Sequence, residues 1–512
     1  MTTLAMGSKA GSGPFLRIMA DDAADPVTTP STAREKFVFD SLNDKLAYMN
    51  RVQVVRYDEV AYPMPSGIGS GNGITRFYPA GSDINNFEFA VACVKLRDNN
   101  NSRQEFYWPV DPSLGVFGIA DAREMNPATG RARISRINYV QYAVNGIQES
   151  GVWRSWGHTS MGPFQDLYLS GAGASPRPLY RVSIQRGERE TKQWVFYEWK
   201  LPFEDVAYPF QPGTPVAGQE VLRIGSDMAR LARPGFDVFN ANPNNFILHE
   251  GQSPSKLIGI GRGLEVDAGQ TVSVQTILPP TPLTFVMCQM STDGTVYASS
   301  CPAPTSSGTS DDYELDYKAT STGVDFVNHG DRKFWVNYMI FADDASGPTS
   351  GGEKVLETDG GFIRIKRPGS SDTAPSYADV LLDSRLPVPL LIQEGIARWD
   401  THFVSDTSKR HLGSRRFTVN IPEAAGKYQL FVLHTQPQHS ILRSYFFSSP
   451  YNGWAGRGTN LAVIRPDGVD FWLANDHPRY ITIGGGGDFT GTVPDYVRYY
   501  IFAIPLSLGA SP

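Results

Sequence analysis

Cysteine is scarce: Cys93, Cys288 and Cys301 are the only three in 512 residues. An odd count with no CxxC pair indicates neither a disulfide framework nor a zinc knuckle. Buried free thiols are expected, with Cys288 and Cys301 able to pair only if their strands are neighbours. Long apolar runs are missing too. Nothing approaches the roughly 18 residues that a spanning helix needs, and the start, MTTLAMGSKAGSGPF, has no apolar signal core. The expectation is a protein made in the cytoplasm that stays there or leaves by another route, with no membrane span. Basic charge is not in excess: 46 Lys plus Arg stand against 52 Asp plus Glu, a net charge of −6, which leaves no footprint for nucleic acid. Helix formers are never sustained over a 3.6-residue period, so long amphipathic helices are excluded.

Catalytic signatures are absent as well. There is no Gly-x-Ser-x-Gly elbow and no HExxH, and the glycine-rich stretches at 67–73, 259–263 and 484–488 lack the Lys-Ser/Thr of a phosphate loop. Asp311, Asp312, Glu314 and Asp316 crowd together in DDYELDY without the spacing and central glycine of a calcium loop, so they read as a solvated charged edge. No cofactor, no metal and no enzymatic activity are expected. Paired carboxylates meet in space and leave no spacing, so a polysaccharide-degrading enzyme stands as the least favoured reading.

What the chain does contain is turn and strand material. Fifty Gly and 37 Pro punctuate runs rich in 23 Tyr, 28 Phe and 9 Trp, the composition of half-buried strands between loops. A short phrase recurs: Phe15 to Ile18, Val221 to Ile224 and Phe362 to Ile365 each read apolar, Leu or Ile, Arg, Ile. Alternation on a strand would turn Arg17, Arg223 and Arg364 outward together. A second apolar run follows each phrase, at 36–41, 245–250 and 378–384, after Pro234-Gly235 and Pro368-Gly369 turns in the later two. The copies also close alike. Residues 181–202 align with 323–343, matching Trp194-Val195 to Trp335-Val336 and Tyr197 to Tyr338, and both read as hairpins. Gly468-Val469-Asp470-Phe471 repeats Gly323-Val324-Asp325-Phe326, with its return strand delayed by a long loop.

The pattern predicts an all-β protein with little helix and long loops, made of three tandem β-sandwich-like domains. The expected divisions are an N-terminal arm at 1–13, flexible or docked on a neighbouring subunit; a first domain at 14–208 with an insertion near 98–178; a linker at 209–219; a second domain at 220–342; a linker at 343–353; a third domain at 354–507; and a tail at 508–512. Both linkers are rich in Pro, Gly or Ser.

The phrase LRIGSDMARLARPGFDV followed by NFILHE, with its relative FIRIKRPG followed by ADVLLDSR, resembles virion structural proteins of long-tailed bacteriophages, in the minor tail or tail-tip class. Arg233-Pro234-Gly235-Phe236-Asp237-Val238 carries the closest likeness; the first copy keeps only the opening and the strand after it. The resemblance implies a structural component of a phage tail (tail tip, baseplate or tail-associated fibre), located in the virion, with other tail proteins as partners, homo-oligomeric assembly and no catalytic residues. Candidate contact residues lie in two aromatic, glycine-rich loops: Trp153, Arg154 and Trp156, and Tyr451, Trp454 and Arg457. Such residues suit a subunit interface. In the alternative reading they stack on a host-surface glycan as a receptor-binding module.

Overall fold

The computed structural model describes residues 3–9, 13–20, 23–42, 48–56, 74–77, 90–95, 102–109, 119–126, 128–134, 138–143, 147–149, 152–154, 179–184, 193–200, 216–240, 245–252, 254–299, 315–343, 347–358, 361–398, 400–406, 408, 415–436, 440–442, 447–448, 455–456, 460–473, 481–483, 487–489 and 496–506. Among the described residues the chain is all-β: 39 strands in antiparallel sheets, with short 3-10 turns such as Arg34–Lys36 and Tyr377–Asp379.

Nine of these strands build three small sheets of three. The first holds Leu4–Lys9, Gly13–Met19 and Phe37–Asp40. The second holds Leu222–Gly225, Met228–Ala232 and Phe246–His249. The third holds Leu356–Glu357, Arg364–Lys366 and Val380–Asp383. In every one the register between middle and third strand slips by one residue at the same place, between Ile18 and Met19, Leu231 and Ala232, and Ile365 and Lys366. A bulge so placed is a designed feature that fixes equivalence. Arg17, Arg230 and Arg364 are therefore the matching arginines.

This corrects the alignment of the second copy. Arg223 lies on the edge strand and pairs across the ladder with Arg230, seven residues on. Both strands read apolar-Arg-apolar, and the edge strand happens to imitate the other openings more closely. The second apolar runs do form the third strands. The turns are also as expected: Phe236 N donates to Arg233 O and Ser370 N to Arg367 O, with Gly235 at φ 88° and Gly369 at φ 77°. Proline then glycine with positive φ is the chemistry of a type II turn. Leu4–Lys9, within the expected arm, is a strand of the chain's own first sheet.

The three small sheets share one core. Leu16, Ala229 and Ile363 meet there, as do Ile18, Leu231 and Ile365, and Phe39, Leu248 and Leu382. These are equivalent positions of the three copies, so the copies face a common centre, here called the hub.

Each hub sheet leads into a larger two-leaf body. In the second copy one leaf orders Lys256–Val266, Phe334–Ala342, Phe285–Ser291 and Tyr297–Ser299, and the other Thr271–Gln275, Gly323–Asn328 and Leu315–Ala319. Ile258, Val286, Phe326 and Ile340 fill the space between. The third copy repeats the plan: Leu390–Arg398, Tyr496–Pro505, Tyr428–Gln436 and Ser440–Leu442 face Arg415–Asn420, Gly468–Leu473 and Asn460–Arg465 over Leu430, Ile464, Phe471 and Ile501. The expected closing hairpins are not hairpins. Gly323–Asn328 and Phe334–Ala342 belong to different leaves, as do Leu179–Ile184 and Gln193–Lys200. The connection crosses between the sheets, and a sequence shows strand, turn, strand alike in either case.

The recurring Gly-Val-Asp-Phe has a position-by-position cause. A Cβ on Gly323 would lie 1.9 Å from the Val274 carbonyl oxygen, and one on Gly468 would lie 2.2 Å from that of Val419. Val324 and Phe326, like Val469 and Phe471, point into the sandwich cores. Asp325 accepts a hydrogen bond from Ser273 Oγ at 2.6 Å, and Asp470 from Thr418 Oγ1 at 2.8 Å. Glycine is thus required for close backbone approach. Gly323→Ala is expected to cost about 1–3 kcal/mol by overpacking and to unzip Thr271–Gln275 first, read as faster amide exchange there; unchanged protection would refute the contact.

Candidate functional site

The residues that join the copies are the candidate site, and they begin with the matching arginines. Alternation that sends Leu16 and Ile18 into the hub sends Arg17 to the other face. There the loop between second and third strands covers it completely. Arg17 Nε and Nη2 each donate to Asp40 at 3.1 Å, Nη1 donates to the carbonyls of Pro26 and Thr29, and Nη2 to Ser31 Oγ at 2.6 Å. Its guanidinium also lies over the rings of Phe15 and Phe37. The arginine is a buried pin holding the loop down, not an outward charge.

The other two pins vary the theme. Arg230 donates to Glu250 and, at 2.9 Å, to the Val238 carbonyl, the counterpart of Pro26. Burial works most strongly, to raise the Glu250 carboxyl, but the hydrogen bond from Arg230, a backbone hydrogen bond at Glu250 and the charges of His249 and Arg230 together outweigh it and hold it below its ordinary value. Arg364 donates to Glu357 at 2.7 Å, and buried Lys366 bridges Glu357 and Asp372. The backbone N–H of Glu353, with Lys366 next, draws Asp372 down to about 2. A carboxyl lowered in the folded state stabilises fully above its ordinary value and loses this only as the pH falls through about 2. The second linker is held by the same group: Glu353 N and Lys354 N both donate to Asp372.

The pinned loops present equivalent tips. Val27 N donates to Asp25 Oδ1 and Phe239 N to Asp237 Oδ1, and Val27 and Phe239 are 51% and 61% exposed.

Beyond the hub, the larger bodies are joined edge to edge. Arg131–Arg133 of the first copy pairs with Leu315–Ala319 of the second and puts Ala132 and Ile134 into the second copy's core. Tyr297–Ser299 of the second pairs with Asn460–Arg465 of the third and packs Tyr297 against the third copy's core. Ser440–Leu442 of the third lies alongside Asn138–Ala143 of the first. First to second, second to third and third to first, the junctions close a ring. The sheets so formed cross both expected linkers, giving seven-stranded and eight-stranded sheets.

Polar contacts reinforce the ring. Arg367 of the third copy donates to the carbonyls of Glu250 and Gln252 in the second, Tyr377 Oη to Pro279 O at 2.8 Å, and Tyr428 Oη to Glu35 of the first at 3.2 Å.

The loop residues expected from the sequence fall elsewhere. Trp153 and Arg154 lie on strand Val152–Arg154, which pairs with Ile147–Glu149; their side chains are outside the described part. Trp156, Tyr451, Trp454 and Arg457 lie outside the described residues, the two middle ones between the paired strands Phe447–Ser448 and Ala455–Gly456. Cys301 is likewise outside them, and Cys288 is buried in the second copy's core. Sequence reasoning missed Arg230, Glu250 and the junction strands. The bulge position identifies Arg230, and only tertiary contact reveals the junctions.

No family model matches the chain, and neither a curated protein nor a solved structure is similar to it.

Proposed function

We propose that the chain is a structural component of a phage tail, at the tip, baseplate or a tail-associated fibre, acting through subunit interfaces and without catalysis. The observation that supports this is the closed ring of three equivalent units around one hub. Such a chain has the outline of a trimer in a single subunit, and it can occupy a threefold position in a symmetric assembly.

Immunogold electron microscopy of particles from a lysate of the producing cells tests it. Label confined to one tail end is the expected result. Absence of label from every particle, with the epitope shown to be accessible, would sink the tail assignment.

A further inference from the structure

The seven-stranded sheet ends at Thr271–Gln275, and among the described residues the outer side of that strand carries none of the devices that keep sheet edges apart. Natural edges are blunted by bulges, charged side chains, proline or a covering segment. Other terminal strands of this molecule are blunted in those ways. An extra residue bulges out of each long outer strand: Asn50, Ile258 and Ile392. Arg415–Asn420, the third copy's equivalent of Thr271–Gln275, is covered by Val404–Ser405, which pairs with Arg415 and Arg416. Arg416 is itself charged and held by Asp406 at 3.0 Å. Thr-Val-Ser-Val-Gln has no charge, no proline and no register shift, and among the described residues no strand pairs with its outer side.

The ladder determines which groups it offers. Asn328 N donates to Gln270 O and Thr276 N to Thr322 O. Hydrogen-bonded pairs alternate along an antiparallel ladder, so Val272 and Val274 bond inward while the N–H and C=O of Thr271, Ser273 and Gln275 face out. The side chains of those three are exposed, and Val272 and Val274 pack on the core.

We propose that a second copy of this chain pairs here, two Thr271–Gln275 strands running antiparallel about a twofold axis at Ser273. The three outward-facing residues are symmetric about Ser273, so each N–H meets a C=O. Thr271 stands opposite Gln275 of the second copy, hydroxyl against amide, and no charge faces its like. The other edge of the same leaf is already extended by strand addition from the first copy, so the leaf associates in this way within the chain. A twofold contact of this kind is self-complementary and stops at two chains. The pairing does not depend on the tail assignment.

The test uses the full chain. Ser273→Cys brings two thiols together at a hydrogen-bonded pair, where Cα atoms are about 5.5 Å apart, within the range a disulfide accepts. Mild oxidation is expected to give a disulfide-linked dimer for S273C, and none for the wild type or for Gln275→Cys, whose opposite residue is Thr271. In sedimentation velocity the wild type should be a dimer, and Ser273→Lys, which sets two ammonium groups side by side on an exposed edge, a monomer with an unchanged circular dichroism spectrum. A monomeric wild type with no S273C cross-link overturns the proposal. So does a dimer that survives S273K, or pairing seen only when a different protein is added.

Discussion

Arg17→Met is expected to destabilise the first hub sheet by about 3–5 kcal/mol, the cost of removing one partner from a buried ion pair. Arg17 and Asp40 are 0% and 3% exposed at their side chains, so water cannot take over the lost contact. The loop over the sheet would lose its hold at Pro26, Thr29 and Ser31 together. Limited proteolysis within residues 23–33 and denaturant unfolding both read this. The control is the double variant Arg17→Met, Asp40→Leu. An apolar pair in place of a buried ion pair is often neutral or stabilising, so the double variant should recover the share of the loss that comes from the unpaired Asp40, while the loop stays released at Pro26, Thr29 and Ser31. A single variant as stable as the wild type would show that the pin holds nothing.

The second large effect concerns the hub. Ile365 is fully buried among Ile18, Leu231 and their neighbours, and Ile365→Ala should cost about 2–5 kcal/mol through lost transfer energy and the cavity left behind. The location of the loss is more telling than its size. Hydrogen exchange should quicken in all three small sheets, at 13–19 and 228–232 as well as 364–366, because the three share the cavity wall. Val419→Ala, in the third copy's sandwich core, should leave the first two sheets alone. Loosening confined to 355–383 after I365A would mean that the sheets are independent and the common core is a misreading.

Strand content, the Pro-Gly turns, the third strands and the Gly-Val-Asp-Phe repeat were all legible in the sequence, because each is written in local alternation and turn chemistry. The failures have one physical origin. Leu222-Arg223-Ile224 and Ala229-Arg230-Leu231 carry the same alternation, and nothing local separates an edge strand from a middle one. Only the bulge against the third strand does. A strand and its successor look the same whether they pair or cross to the opposite leaf, so the closing segments read as hairpins in the sequence. Junction strands such as Arg131–Arg133 and Tyr297–Ser299 are three residues long, below the length at which periodicity speaks, and they are defined by partners far along the chain. The candidate site was less legible than the fold for this reason: it is made of contacts between repeats. The aromatic loops drew notice through composition, which says nothing about position.

The shared hub also sets a timetable for biosynthesis. Leu16 and Ile18 emerge from the ribosome early, but the residues that bury them include Ile365, Leu381 and Leu382. At roughly 5–20 residues per second, the first sheet must wait about twenty seconds or more with its apolar face uncovered. During that interval the nascent chain is open to chaperone capture and to pairing with another nascent copy on the same message. The Arg17 pin, whose partners all lie within residues 26 to 40, is complete long before the hub is. It lets the first sheet hold its shape until the third arrives.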